Sequence, residues 1–188
     1  QVLDSDSGTD ICTTYSNIVD EHHKITGTFE WNNNANILID LLTGKTYVDF
    51  NSTLIRRNIF DKFGLLDEHC PSFQEYDTFI RLADLANFKT IPEKLIDYYR
   101  GNTETISSDS KRDFDGFFYI MKKHRLLWLE TVGEKIFKRR LRELSNRTWK
   151  LNVVNINKVK EAIPEFAKVH LRQNIVKYLY KIKWLLKK

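Results

Sequence analysis

The sequence predicts an α/β front, residues 1–110, followed by a basic α-helical C-terminal region, residues 111–188. Three observations carry that division. Short runs rich in β-branched and aromatic residues alternate with short amphipathic stretches up to about position 110, the pattern of strands interleaved with helices. Beyond that point only helical spacing remains. The formal charge of +5 also hides a change of sign: residues 1–110 hold 9 Lys+Arg against 18 Asp+Glu, a net of −9, whereas 111–188 hold 21 against 7, a net of +14. An acidic front and a basic back imply two parts with different partners.

The elements follow in order. Asp10 to Val19 reads as a buried strand. Glu21-His22-His23-Lys24 is a polar turn, and Ile25 to Trp31 an edge-like strand. Asn34 is expected to cap a short helix through Ile37, Leu38, Leu41 and Leu42, stopping at Gly44. Tyr47 to Ile55 alternates as a strand, and Asn58 to Phe63 forms a short helix ending at Gly64. From Ser72 to Ala86 a single apolar stripe of Tyr76, Phe79, Ile80, Ala83 and Ala86 predicts a helix. Lys94 to Tyr99 closes the front as a strand. The back divides into helices near Gly133, within Asn152–Asn157 and at Pro164.

Composition narrows the class. With 188 residues, 41% hydrophobic, 13% aromatic and only 7 Gly and 3 Pro, the chain can build a core and is not a disordered or fibrous protein. No apolar run approaches the ~18 residues that a membrane span needs. Cys12 and Cys70 match no metal or redox spacing and fit a reducing compartment. Gln1 and the single methionine, Met121, imply that translation starts upstream.

Several polar motifs have two readings. Asp4-Ser5-Asp6 could offer paired carboxylates to a divalent ion, but the spacing to Gly8 and Tyr15 fails the calcium-loop pattern, and a polar turn is the simpler reading. His22 and His23 beside Glu21 point to opposite sides of an extended segment, so an exposed turn is expected rather than a metal site. Ser72-Phe73-Gln74-Glu75 reads as a capping box worth roughly 1 kcal/mol. The same Glu75, in a first helical turn just after a loop, is also placed to serve a cleft as a general base, where the positive helix end suits a carboxylate. Asp77 and Arg81, four apart, share a helix face and pair as an exposed couple worth under about 1 kcal/mol. Glu75 and Asp77 point to different sides.

In the last helix Leu171, Ile175, Tyr178, Leu179, Ile182, Leu185 and Leu186 share one sector, with lysines opposite. This is either a core-packing face or a helix lying on an anionic membrane. Arginine is sparse there and no zinc-finger or RNP sequence occurs, so nucleic acid is not the expected partner.

Four segments, in order, resemble the C-terminal half of a family 2 glycosyltransferase with the GT-A fold. Thr13-Thr14-Tyr15-Ser16-Asn17-Ile18-Val19-Asp20 is similar to the strand that opens that half. Asn51-Ser52-Thr53-Leu54-Ile55-Arg56-Arg57 is similar to its serine-then-double-arginine segment. Phe63-Gly64-Leu65-Leu66-Asp67-Glu68 resembles the "G-G-F-D-E" turn, and Gln74-Glu75-Tyr76-Asp77-Thr78-Phe79-Ile80-Arg81-Leu82-Ala83 the "Q-E-W-D-x-W-x-R-L-A" helix.

The resemblance implies a partial GT-A sheet-and-helix half covering about Asp10 to Ser107. It implies inverting transfer of a single sugar from a nucleotide-sugar to a polysaccharide or glycolipid acceptor. Glu75 matches the catalytic base, and Asp77 and Arg81 its helix companions in substrate binding. A divalent cation, Mg2+ or Mn2+, is implied as well, but its Asp-x-Asp motif belongs to a nucleotide-binding half expected before Gln1. The isolated chain is therefore expected to be inactive. Tyr98-Tyr99-Arg100-Gly101-Asn102 departs from the family, many of whose members have histidine at the position of Asn102. The processive "Q-x-x-R-W" signature is absent. A cytoplasmic location is expected, peripheral on the inner face of the cytoplasmic membrane and close to a lipid-linked acceptor. The alternative is a non-catalytic interaction or membrane-docking module.

Overall fold

Strand β1 (Ile11–Val19) organises the front unit. Its β-branched and aromatic residues suit a strand covered on both edges, and Ile11 and Val19 are buried. One edge is shared: β2 (Ile25–Phe29) pairs antiparallel with residues 16–19, and β3 (Thr53–Ile55) antiparallel with residues 11–13. The other edge pairs in parallel with β4 (Phe88–Tyr99) along the full length of β1. The result is a four-stranded mixed sheet.

The computed structural model describes residues 2–100, 109–148 and 155–185, and side chains of the last helix as far as Val176. The chain divides into two units, Gln1–Thr105 and Ile106–Lys188.

In the front unit, α1 (Val2–Ser5) is one helical turn, and α2 (Leu38–Thr43) stops where Gly44 takes a left-handed conformation. The cap of α2 differs from expectation. Asn36 accepts from the Leu38 amide at 2.9 Å, while Asn34 accepts from the Thr90 amide at 3.1 Å. The expected strand from Tyr47 to Ile55 is shorter. Asp49 turns the chain into a 3-10 turn, Phe50–Ser52, and only Thr53–Ile55 pairs with the sheet. Helix α3 (Arg57–Phe63) ends at Gly64 as expected. Helix α4 (Gln74–Ala83) buries Tyr76, Phe79, Ile80 and Ala83 in the predicted stripe. Phe79 meets Phe50 and Phe88 at ring-centroid distances of 5.0 and 6.2 Å.

Strand β4 begins six residues earlier than expected. Thr14 pairs with Ile91 and Tyr15 with Lys94, so Pro92 and Glu93 form a bulge within the strand. A proline, which cannot donate to a ladder, is tolerated there.

The back unit is helical. Asp109 caps α5 (Ser110–Lys123), accepting from the amides of Lys111 and Arg112 at 2.8 and 3.2 Å. Helix α6 (Arg125–Thr131) gives way at Gly133 to α7 (Gly133–Thr148), and α8 (Ile156–Ala162) is followed across Pro164 by α9 (Glu165–Leu185). The breaks at Gly133 and Pro164 fall where the sequence placed them; the expected break within Asn152–Asn157 lies partly outside the described residues. The core holds Phe117, Trp128, Phe137, Leu141, Leu144 and Phe166. Among the described residues, no helix is long and apolar enough to cross a membrane.

Candidate functional site

Glu75 sits one residue into α4, and its surroundings bear on the expected cap. The capping box does not form. Phe73, not Ser72, precedes the helix, in a left-handed conformation (φ 62°, ψ 32°), and the first helical bond runs from the Asp77 amide to the Phe73 carbonyl at 3.0 Å. Glu75 therefore occupies the second helical position, too early to be the reciprocal partner of Ser72. A bulky residue forced into left-handed backbone costs about 1–2 kcal/mol, and such strain persists only where packing over-determines it.

The Glu75 carboxylate instead lies close enough to Tyr47 to act on its phenol. Burial pushes the Tyr47 phenol well above its ordinary value of 10.0, and the negative charges of Glu75 and Asp49 push it further. Tyr98 lies close enough to add to the same effect. The phenol thus stays protonated near a half-buried carboxylate.

A chain of short polar contacts holds Tyr47 in place. Thr13 on β1 and Thr90 on β4 share a hydroxyl contact of 2.9 Å across the parallel pair. Thr90 accepts from the Asn33 amide at 2.7 Å and donates to the Asn33 carbonyl at 3.0 Å. The Asn33 side chain donates to the Tyr47 carbonyl at 3.1 Å and accepts from Thr46 at 2.6 Å. Asn33 is buried, so these bonds are shielded from competing water. From the other side, Tyr76 donates to the Leu41 carbonyl at 2.7 Å and fixes α4 against α2.

Asp77 and Arg81 pair as predicted, Arg81 Nε to Asp77 Oδ2 at 3.1 Å, but the couple is not exposed. Asp77 is fully buried, and Arg81 is only one-fifth accessible. The guanidinium also donates to the carbonyls of Phe63 and Leu65 at 3.0 and 2.9 Å. It therefore clamps the turn after α3 to α4. Residues two apart on a helix point to different sides, so Asp77 meets Arg81 while Glu75 lies towards Tyr47.

Asp4 and Ser5 belong to α1 rather than to the expected polar turn, and Asp6 leads from that helix into the turn at residues 7–8. It accepts from the Gly8 amide at 3.1 Å, the Thr9 hydroxyl at 2.9 Å and Lys89 Nζ at 2.9 Å, and the Lys89 bond leads in holding its carboxyl below the usual range. The main chain of this segment is further tied by Arg56, which donates to the carbonyls of Leu3, Thr9 and Asp6. His22 and His23 form the expected exposed turn, built on Asp20, which accepts from the His22 and Lys24 amides at 2.9 Å. No group of three His, Cys, Asp or Glu residues able to hold a metal occurs among the described residues. No step below is routed through the divalent cation that the resemblance implies. Cys12 and Cys70 are both free and buried, and burial raises the Cys12 thiol.

Sequence reasoning missed Tyr47 and Asn33. Tyr47 was one apolar-looking member of an alternating run, and Asn33 one of three consecutive asparagines. Nothing local marks either residue, because their roles depend on contacts 14 to 57 residues away. In the last helix Leu171 and Ile175, the members of the expected sector whose side chains are described, are 61% and 50% exposed, and the helix buries Phe166 and Val169, which lie outside that sector. The side chains of residues 178–186 lie outside those described.

No protein-family model matches the chain, and no curated protein matches it.

Proposed function

We propose that the front unit is the acceptor-side half of an inverting, family 2-like glycosyltransferase of GT-A type, with Glu75 as its general base. The observation that carries the reading is the environment of Glu75. It stands outside the expected cap, half-buried in the first turn of α4, with the Tyr47 phenol close by. An ionised carboxylate offers two acceptor oxygens, so Glu75 has the capacity to take a substrate hydroxyl. In the proposed step the Glu75 carboxylate takes the proton of an acceptor hydroxyl as its oxygen attacks the anomeric carbon. The bond from that carbon to the nucleoside diphosphate breaks with inversion, and the diphosphate leaves with the electron pair. Asp77 and Arg81 support substrate binding by fixing the 63–65 turn beside the helix rather than by touching the reacting atoms.

The basic back unit would keep the enzyme peripheral on the inner face of the cytoplasmic membrane, near a lipid-linked acceptor. Exposure of Leu171 and Ile175 favours that role for α9 over a helix packed on both sides. The same observation supports the second reading, a non-catalytic membrane-docking module.

Glu75→Gln in the full-length protein separates them. Loss of turnover by about 10²–10⁴-fold, with folding and nucleotide-sugar binding intact, is expected of a general base. Near-normal turnover would leave Glu75 only a charged neighbour of Tyr47.

A further inference from the structure

A groove of about 280 Å³ runs between α7 and α9, lined by Lys138, Arg142, Lys168 and Arg172 together with Val169 and Val176. The cations form two like-charged pairs, Lys138 with Arg142 and Lys168 with Arg172, each four residues apart on its own helix. Such spacing costs a few tenths of a kcal/mol per pair in an isolated helix. Neighbouring carboxylates do little to offset it. Glu134 pairs with Lys138 at 2.6 Å, but Glu143 is taken by Arg140 and Glu165 by Arg125. Among the described residues no ion pair engages Arg142, Lys168 or Arg172.

The arrangement around α9 says what the groove faces. At ~100° per residue, Val169 borders the core, the 47% exposed Val176 and then Arg172 and Lys168 come next, and Ile175 and Leu171 follow further round. Cations thus lie between the buried edge of the helix and two exposed apolar side chains. A free phosphate would use only the cations, whereas a phospholipid uses both, with its phosphate in the groove and its acyl boundary against Ile175 and Leu171.

We propose that the α7–α9 groove is a binding site for the phosphate headgroup of an anionic phospholipid. The site gives the back unit selectivity for anionic membranes. It rests on the membrane-facing reading of α9 and is independent of sugar transfer.

Flotation of the full chain with phosphatidylcholine vesicles, with and without phosphatidylglycerol, tests it. The wild type is expected to bind only the anionic vesicles. Lys168→Glu/Arg172→Glu should lose about tenfold or more in affinity, as should the milder Lys168→Gln/Arg172→Gln to a smaller degree. The charge-matched control Lys62→Glu/Lys158→Glu should bind like wild type, and circular dichroism confirms folding of each.

Leu171→Ser/Ile175→Ser separates the groove from the docking face. If this variant loses binding while both groove variants keep it, α9 docks through its apolar residues and the groove proposal falls. Binding by no form overturns both. Full displacement from vesicles by millimolar inorganic phosphate at constant ionic strength would make the groove a free-phosphate site. Groove-dependent binding of an oligonucleotide without vesicle binding would assign it to nucleic acid, and either result overturns the proposal.

Discussion

Tyr47 ties a measurable ionisation to the geometry around Glu75. Its phenol is raised first by burial and then by the Glu75 and Asp49 charges. A group whose folded value lies above its unfolded value stabilises the fold fully below the unfolded value and loses that contribution as pH rises through the folded one. Stability is therefore expected to decline above about pH 10, where the unfolded tyrosine ionises and the folded one does not. Tyr47→Phe should flatten that decline, as read by urea melts across pH 9–11 (roughly one unit either side of the ordinary tyrosine value). In Glu75→Gln the Tyr47 phenolate should appear at lower pH in the ultraviolet difference spectrum, because one of its negative neighbours is gone. An unchanged titration would mean that Glu75 does not face Tyr47. Arg81 permits a second prediction at this scale. Arg81→Ala leaves the buried Asp77 carboxylate without its guanidinium and frees the Phe63 and Leu65 carbonyls. A loss of roughly 3 kcal/mol follows, measurable by denaturant unfolding; a loss under about 1 kcal/mol would be that of a surface pair.

Elements were legible where local pattern and tertiary context agreed. The Phe79-centred stripe of α4, the stop of α2 at Gly44 and the buried strand β1 each follow from spacing or from one residue's backbone freedom. The first half of β4 was not legible, because Pro92 reads as a strand breaker and only the bulge opposite Thr14 and Tyr15 makes room for it. The cap of α4 failed for a related reason: packing places Phe73 in a left-handed turn that no local preference favours. The candidate base was legible as a residue, through Ser72–Glu75 and the family-like helix, but its partner was not. Between elements, Arg125 on α6 grips Glu165 at the start of α9 with two guanidinium bonds, one of them Nε to Oε2 at 3.0 Å. The Arg125 bond leads in holding the Glu165 carboxyl below its ordinary value of 4.5. A depressed carboxylate stabilises the fold above its unfolded value and ceases to as pH falls through the folded one. Glu165→Gln should thus cost about 1–2 kcal/mol near neutrality, and the difference from wild type should shrink below pH 4.5. A difference independent of pH would assign the loss to packing.

At the scale of the whole chain, the division seen in charge has a counterpart in hydrophobic burial. The front unit buries Ile11, Leu41, Leu42, Phe79, Ile80, Leu82 and Phe88, and the back unit buries Phe117, Trp128, Phe137, Leu141, Leu144 and Phe166. Each set includes fully buried aromatic side chains, and truncating one to alanine typically costs 3–5 kcal/mol through lost transfer energy and a residual cavity. If each unit rests on its own core, the damage should stay within the unit that is cut. Phe79→Ala is expected to raise amide exchange in β1 and β4 while leaving α7 protected, and Phe137→Ala to do the reverse. Native-state hydrogen exchange on the full chain reads both, without requiring either unit to fold alone. Equal loss of protection in both units from either substitution would show one cooperative core. The proposed catalysis and membrane attachment would then share a single stability, and a substitution in the back unit would disturb Glu75 simply by unfolding its scaffold.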